Sequence, residues 1–361
     1  MPKVRRAYLD WARGLAVLLM IEAHTADAWT RAADKATSAY GITAALGGFA
    51  APLFLWLAGV SLALSASRPD VEQRGRAAQV EAICRRGLEI FILAFVFRLQ
   101  AFVVSPGGSP VKIFRVDILN VMGPAIAAAG LVWGLGATRL GRILWCGAAA
   151  ILVALITPSV RAAAFVDALP VWIQWYLRPA GEYTTFTLLP WAGFVFAGAA
   201  CGTLVAATRD ASEEDRLYLW LVACGAGLVA LGWYTSMRPS IYRQSSFWTS
   251  SPTWFAIRAG LLMTGVAILY AVARVAARQG LSCRPLERFG RASLFVYWIH
   301  VELVYGYASW LWYGRLPLWG TAIACAAFSA LMYGAVLWRD QLVGRWRSRS
   351  RAGAPAHPLP N

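Results

Sequence analysis

His24 lies eleven residues after Arg13 and three before Asp27, inside an otherwise apolar stretch. On a helix, eleven residues rise roughly 16 Å, so a helix starting near Arg13 carries His24 deep into a membrane. The three-residue spacing puts Asp27 on the imidazole's face, whereas Glu22, two residues back, points nearly opposite. A carboxylate against one ring nitrogen fixes the tautomer and raises basicity, leaving the other nitrogen to take a proton. The chemistry this predicts is general-base catalysis by His24 with Asp27; the same ring can also act as a nucleophile. The plain alternative is a histidine hydrogen-bonded to a neighbouring helix. Asp10 and Arg13, also three apart, form either a structural pair at the helix entrance or, through Arg13, part of a ligand site.

Other polar residues interrupt apolar runs. Arg98 stands near the end of one run, and Arg115, Asp117 and Asn120 open the next. Arg98, Asp117 and Asn120 are candidates for contacts on the acceptor side, although a terminal arginine also reaches the interface by snorkelling. His300 and Glu302 break the aromatic run Tyr297-Trp298-Ile299. His300 is about 10 Å of helix past Ser293, so it does not come level with His24 unless the two helices are offset. It reads as packing or as lining a path, as do Asp10 and Glu22. Arg85, Arg86, Arg288 and Arg291 crowd helix ends, where paired guanidinium bonds suit phosphate; simple topology charge is the alternative for each.

The elements that position these residues follow from composition. Of 361 residues, 59% are hydrophobic and 14% charged, against roughly a quarter charged in soluble domains. Mean hydropathy is +0.53. A spanning helix needs about 20 mostly apolar residues. Ten such stretches occur, at 12–29, 44–65, 83–104, 116–136, 140–157, 187–207, 216–234, 254–276, 293–312 and 317–338. The fold class is therefore all-α, a polytopic integral membrane protein of about ten helices.

With the N-terminus cytoplasmic, inner segments hold 22 Lys and Arg and outer ones 9, the bias that sets orientation. Both termini are then cytoplasmic. The net charge of +16 becomes a topology signal rather than a sign of nucleic-acid binding. The connection 158–186 is rich in aromatics and should lie flat at the interface. Residues 1–344 read as a single transmembrane domain and 345–361 as a basic, Pro/Ala-rich disordered tail. The first apolar stretch lacks a small-residue cleavage site and is expected to remain as a helix. Six cysteines without paired spacing argue against a zinc site or a disulfide framework, and no metal is expected.

Four blocks in order carry a family resemblance: Leu9–Met20 followed by His24, Phe114–Gly123, Leu188–Phe194 and Gly290–His300. The chain resembles the heparan-alpha-glucosaminide N-acetyltransferase-like transmembrane acyltransferases. The Arg13-to-His24 spacing is also similar to that of the membrane O-acyltransferases of bacterial polysaccharides. The resemblance implies that acyl-CoA, with acetyl-CoA expected, is a co-substrate held from the cytoplasm. Its phosphates would lie against some of Arg13, Arg85, Arg86, Arg288 and Arg291, and its pantetheine arm would reach His24. A sugar amine or hydroxyl on the outer side would be the acceptor. The sequence shows neither the large lumenal N-terminal domain nor the eleventh helix of the lysosomal enzyme. The expectation is therefore a glycan or glycolipid acceptor at a bacterial inner membrane. The expected partners are the bilayer and that acceptor, with no nucleic acid; a homodimer stays open. The competing class is a proton-coupled transporter or flippase using the same ionisable groups, although the two halves show no repeat of the kind common in transporters.

Overall fold

The computed structural model describes residues 6–104 and 109–352, with side chains through Trp346. Fifteen α-helices form among them, and no strand. They are α1 (Ala7–Trp29), α2 (Ala32–Lys35), α3 (Ser38–Gly47), α4 (Ala50–Ala66), α5 (Pro69–Glu72), α6 (Arg76–Val104), α7 (Ile118–Leu135), α8 (Arg139–Ala162), α9 (Val171–Leu177), α10 (Leu188–Ala207), α11 (Ala211–Ser236), α12 (Pro252–Arg278), α13 (Arg284–Arg291), α14 (Ser293–Tyr305) and α15 (Leu318–Ala352). The all-α, polytopic membrane architecture read from the sequence holds.

Each of the ten apolar stretches contains a helix, although 44–65 is divided between α3 and α4 and 293–312 is α-helical only as far as Tyr305. Eight of the resulting segments, among the described residues, are long and apolar enough to cross a bilayer, with Ser38–Ala66 taken as one. The other two are α1 and α14. The α1 helix has the length, 23 residues, but carries the densest set of ionisable groups. The 13 residues of α14 rise only about 20 Å, short of a hydrocarbon core of about 30 Å. These two helices hold His24 and His300. The α15 helix continues to Ala352, so the start of the basic tail expected to be disordered from Arg345 is helical. The rest of that tail, 353–361, lies outside the described residues.

Contacts group the chain into two compact units. One gathers the chain up to Ala12 with Gly48–Ser282; the other gathers Arg13–Gly47 with the chain from Cys283. In the first unit α10 packs against α4, α8 and α7, α6 against α7, and α11 against α12. Lipid tails offer no hydrophobic drive for helix association, so small residues that admit close backbones are favoured at crossings. A Cβ on Gly198 of α10 would sit 2.8 Å from the Trp56 carbonyl carbon of α4, and Gly87 and Gly123 meet similarly between α6 and α7. The start of α1 is tied down by polar bonds. Arg6 pairs with Glu214 at 2.7 Å, and the Tyr8 hydroxyl donates to the same carboxylate at 2.9 Å. Within the aromatic connection, Trp175 is buried and stacks on Tyr183, with centroids 4.7 Å apart.

In the second unit the C-terminal end of α1 is fixed to the α14–α15 connection. The Leu316 amide donates to Trp29 O and the Arg31 amide to Leu316 O, each at 2.9 Å. Trp29 Nε1 donates to Val304 O at 3.3 Å. The Leu318 amide donates to the Asp34 carboxylate at 2.7 Å, and Arg31 donates to that carboxylate at 2.9 Å. The Leu318 amide first, then Arg31, holds the Asp34 carboxyl below its ordinary value. The start of α1 within this unit lies against α13, where a Cβ on Gly14 would come within 2.8 Å of Leu286 Cα.

Candidate active site

On α14, Val296, His300 and Val304 are each fully buried and recur every fourth residue, so they form one inward stripe. On α1, Ile21, Thr25 and Ala28 form the matching stripe, with His24 beside it and partly exposed. His24 Nδ1 and His300 Nε2 are 2.8 Å apart. The rings are nearly coplanar, 5° apart, with centroids separated by 5.0 Å. Two nitrogens that close, between rings in one plane, make an edge-to-edge hydrogen bond rather than a face-to-face stack.

The direction of that bond can be deduced. His300 Nδ1 lies 2.8 Å from the Val296 carbonyl. A carbonyl oxygen only accepts, so His300 Nδ1 carries the hydrogen, and a neutral ring then has a lone pair on Nε2. His24 Nδ1 must be the donor to that lone pair. The chain runs from the His24 Nδ1–H to His300 Nε2, and from the His300 Nδ1–H to Val296 O. His24 Nε2 is left with its own lone pair, and among the described residues it has no hydrogen-bond partner. This is the logic by which a histidine's second nitrogen is set by what the first one bonds.

Asp27 does not take the role expected of it. The expected contact with the imidazole is not made: the carboxylate accepts from the Tyr305 hydroxyl at 2.9 Å and lies 3.6 Å from Lys35 Nζ. The Asp27 side chain is 61% exposed, and Tyr305 stands edge-on to His24 at 5.5 Å between centroids. A three-residue step shares a face, but the nearer hydroxyl and ammonium draw the carboxylate outward. His300 is level with His24, so α14 and α1 are offset; it is fully buried, as a packing residue is, and its bond to His24 is the contact with a neighbouring helix that the plain alternative for His24 described. Tyr305 was missed; its position five residues after His300 gave no periodic signal.

Glu22 lies against Gly47 of α3. Both its carboxylate oxygens are buried without a hydrogen bond. Arg13 and Arg288 are half-buried in the second unit, where Arg291 pairs with Glu287 at 3.2 Å. Arg85 and Arg86 belong to the first unit and lie 3.7 and 3.0 Å from Glu89. Asp10 is buried. Arg98, Asp117 and Asn120 do come together in the first unit: Arg98 forms an ion pair with Asp117, and the Asp117 amide donates to Asn120 Oδ1 at 3.1 Å. Asp117 and Asn120 close a capping box on α7, which is a structural role.

An all-α polytopic membrane protein with a directed imidazole pair between α1 and α14 is the class these features define. The family described as heparan-alpha-glucosaminide N-acetyltransferase, catalytic, matches residues 5–239, and the chain belongs to it. Among curated proteins none matches. Membership supports a membrane acetyltransferase-type function, in a family whose acetyltransferases use acetyl-CoA as co-substrate. The match includes His24 and the three blocks through Phe194; it ends before α12, so His300 lies beyond it.

Proposed function

We propose that this protein transfers an acyl group, acetyl in the first instance, from acyl-CoA to a sugar amine or hydroxyl, with His24 Nε2 as the general base. The observation that carries this reading is the His24–His300 hydrogen bond, whose polarity leaves Nε2 of a partly exposed ring with a lone pair. The acceptor nitrogen or oxygen attacks the thioester carbonyl, and its proton passes to His24 Nε2. The carbon–sulfur bond then breaks, and the proton goes to the departing thiolate, so His24 returns to its starting state. His300 accepts the Nδ1–H throughout and stabilises the transient imidazolium. Arg13, Arg288 and Arg291, all in one unit, would hold the phosphates of the coenzyme through charge-assisted bonds. By the basic bias of the inner segments, donor entry is cytoplasmic and the acceptor a glycan or glycolipid outside, at a bacterial inner membrane.

The test uses radiolabelled acetyl-CoA and a panel of amino sugars and oligosaccharides with the protein in liposomes. Wild type should yield acetylated sugar and His24→Ala none, with melting temperature and acetyl-CoA binding retained. Near-normal turnover by His24→Ala would remove the base. Uptake of solute without acetyl-CoA would favour the transporter reading.

A further inference from the structure

Within the first unit, a cavity of about 820 Å³ opens between α4, α8, α10, α11 and α12. That is at the upper end of the roughly 300–1,000 Å³ of small-molecule sites. The residues of α8 and α10 that line it, such as Ala154, Leu155, Ala197 and Ala200, are apolar. The hydroxyl groups are confined to the end of α11, the start of α12 and the segment joining them: Thr235, Ser236, Ser240, Tyr242, Ser245 and Ser251 stand with Arg238. Polarity is therefore segregated along the helix axes, with hydroxyls and one cation where the helices end. No acidic residue lines the space.

The depth fits a membrane occupant. Along α12 the lining runs from Pro252 to Met263, a rise of about 16 Å, close to half of a hydrocarbon core about 30 Å thick. The joining segment is pinned over the opening, because the Tyr242 hydroxyl donates to Leu155 O of α8 at 2.8 Å. Arg238 is held there by Tyr234, whose hydroxyl it meets at 2.6 Å and whose ring lies 4.7 Å beneath its guanidinium. It meets no carboxylate among the described residues and is exposed at the rim, where an anion can reach it.

We propose that this cavity binds a single anionic membrane lipid, its hydrocarbon chain among the alanines of α8 and α10 and its phosphate headgroup at Arg238 and the neighbouring hydroxyls. One cation at an apolar cavity's rim, with hydrogen-bond donors around it and a depth of one leaflet, complements an anionic amphiphile better than a soluble metabolite, which would need polar partners along the cavity wall. The site is separate from the histidine pair and does not depend on the acyl-transfer reading.

The experiment places the full chain in nanodiscs of mixed phosphatidylglycerol and phosphatidylcholine, then measures retained lipid by native mass spectrometry. Wild type should keep one phosphatidylglycerol per chain. Ala256→Trp, which fills the cavity from α12, should reduce retained lipid to background. Arg238→Gln should lower the preference for phosphatidylglycerol over phosphatidylcholine about fivefold, the worth of one basic residue near a lipid surface. Millimolar inorganic phosphate should displace nothing, which separates a headgroup held with its chain from a free phosphate. Retention of detergent alone, equal retention by Ala256→Trp and wild type, or displacement by phosphate would overturn the proposal. Should Ala256→Trp fail to fold, Arg238→Gln decides: an unchanged lipid preference in that variant refutes the site.

Discussion

Replacing His300 by Leu removes the acceptor for the His24 Nδ1–H while keeping an apolar side chain on a buried stripe. In the ground state the lost bond is one between neutral groups, with a net value of about 0.5–1.5 kcal/mol. When His24 takes a proton the same bond becomes charge-assisted and is worth about 1.5–3 kcal/mol. Because the bond is lost from both states, kcat reads only the difference, about 1–1.5 kcal/mol, which at 1.4 kcal/mol per factor of ten predicts a fall in kcat of roughly 5- to 12-fold. KM for acetyl-CoA should change little, since His300 lies behind His24 with its ring fully buried. His300→Gln is the control: its amide oxygen can accept from Nδ1–H, and it should recover much of the loss. The assay is single-turnover acetyl transfer in liposomes, with thermal unfolding in detergent to confirm folding. A well-folded His300→Leu within twofold of wild type would refute the deduced relay, whatever the role of His24.

Asp27→Asn should alter kcat by less than about fivefold, the ceiling set by about 1 kcal/mol for an exposed pair; a loss of a hundredfold would restore the direct carboxylate–imidazole pairing. Arg98→Leu leaves Asp117 without its partner in a pair only 15% exposed on each side, and should destabilise the protein by about 3–5 kcal/mol. Thermal unfolding in detergent reads this directly, and an unchanged melting temperature would release Arg98 from a structural role. Asp34 has a folded pKa below the unfolded value of about 3.9, through the Leu318 amide and Arg31. Its contribution is complete above the unfolded value and disappears as pH falls through the folded one. Asp34→Asn should therefore melt lower than wild type at pH 7 and converge with it in acid, and a constant difference at all pH values would contradict the linkage.

The sequence made the fold class legible because spanning helices need long apolar runs, and each of the ten runs contains helix, the one at 293–312 only as far as Tyr305. It also exposed His24, since ionisable groups at that depth stand out against their surroundings. The partner was less legible. A helical wheel reports which residues of one helix share a face, so it offered Asp27, three residues along. It carries no information about axial offset between helices, and counting upward from Ser293 placed His300 too low. Asp117 and Asn120 show the converse: their spacing was visible, but the capping box that uses them depends on α7 beginning at Ile118. Past Arg345 α15 continues to Ala352 because Arg and Trp are both compatible with helix.

The offset between α1 and α14 is set by contacts that lipid cannot supply. An α1 helix bearing Asp10, Arg13, Glu22 and Asp27 gains little from burial in hydrocarbon, so protein must hold it. Near Gly14 the backbone of α1 closes on Leu286 of α13, the element that leads into α14. At the far end, Trp29 donates to Val304 of α14 itself, and the reciprocal amide bonds with Leu316 bind the following residues to the start of α15. These anchors bracket His24 on both sides. A slip of α14 by one turn is 5.4 Å, nearly twice the 2.8 Å between the two imidazole nitrogens, so it would abolish the hydrogen bond. Locking both ends fixes the tautomer of His24 from a distance.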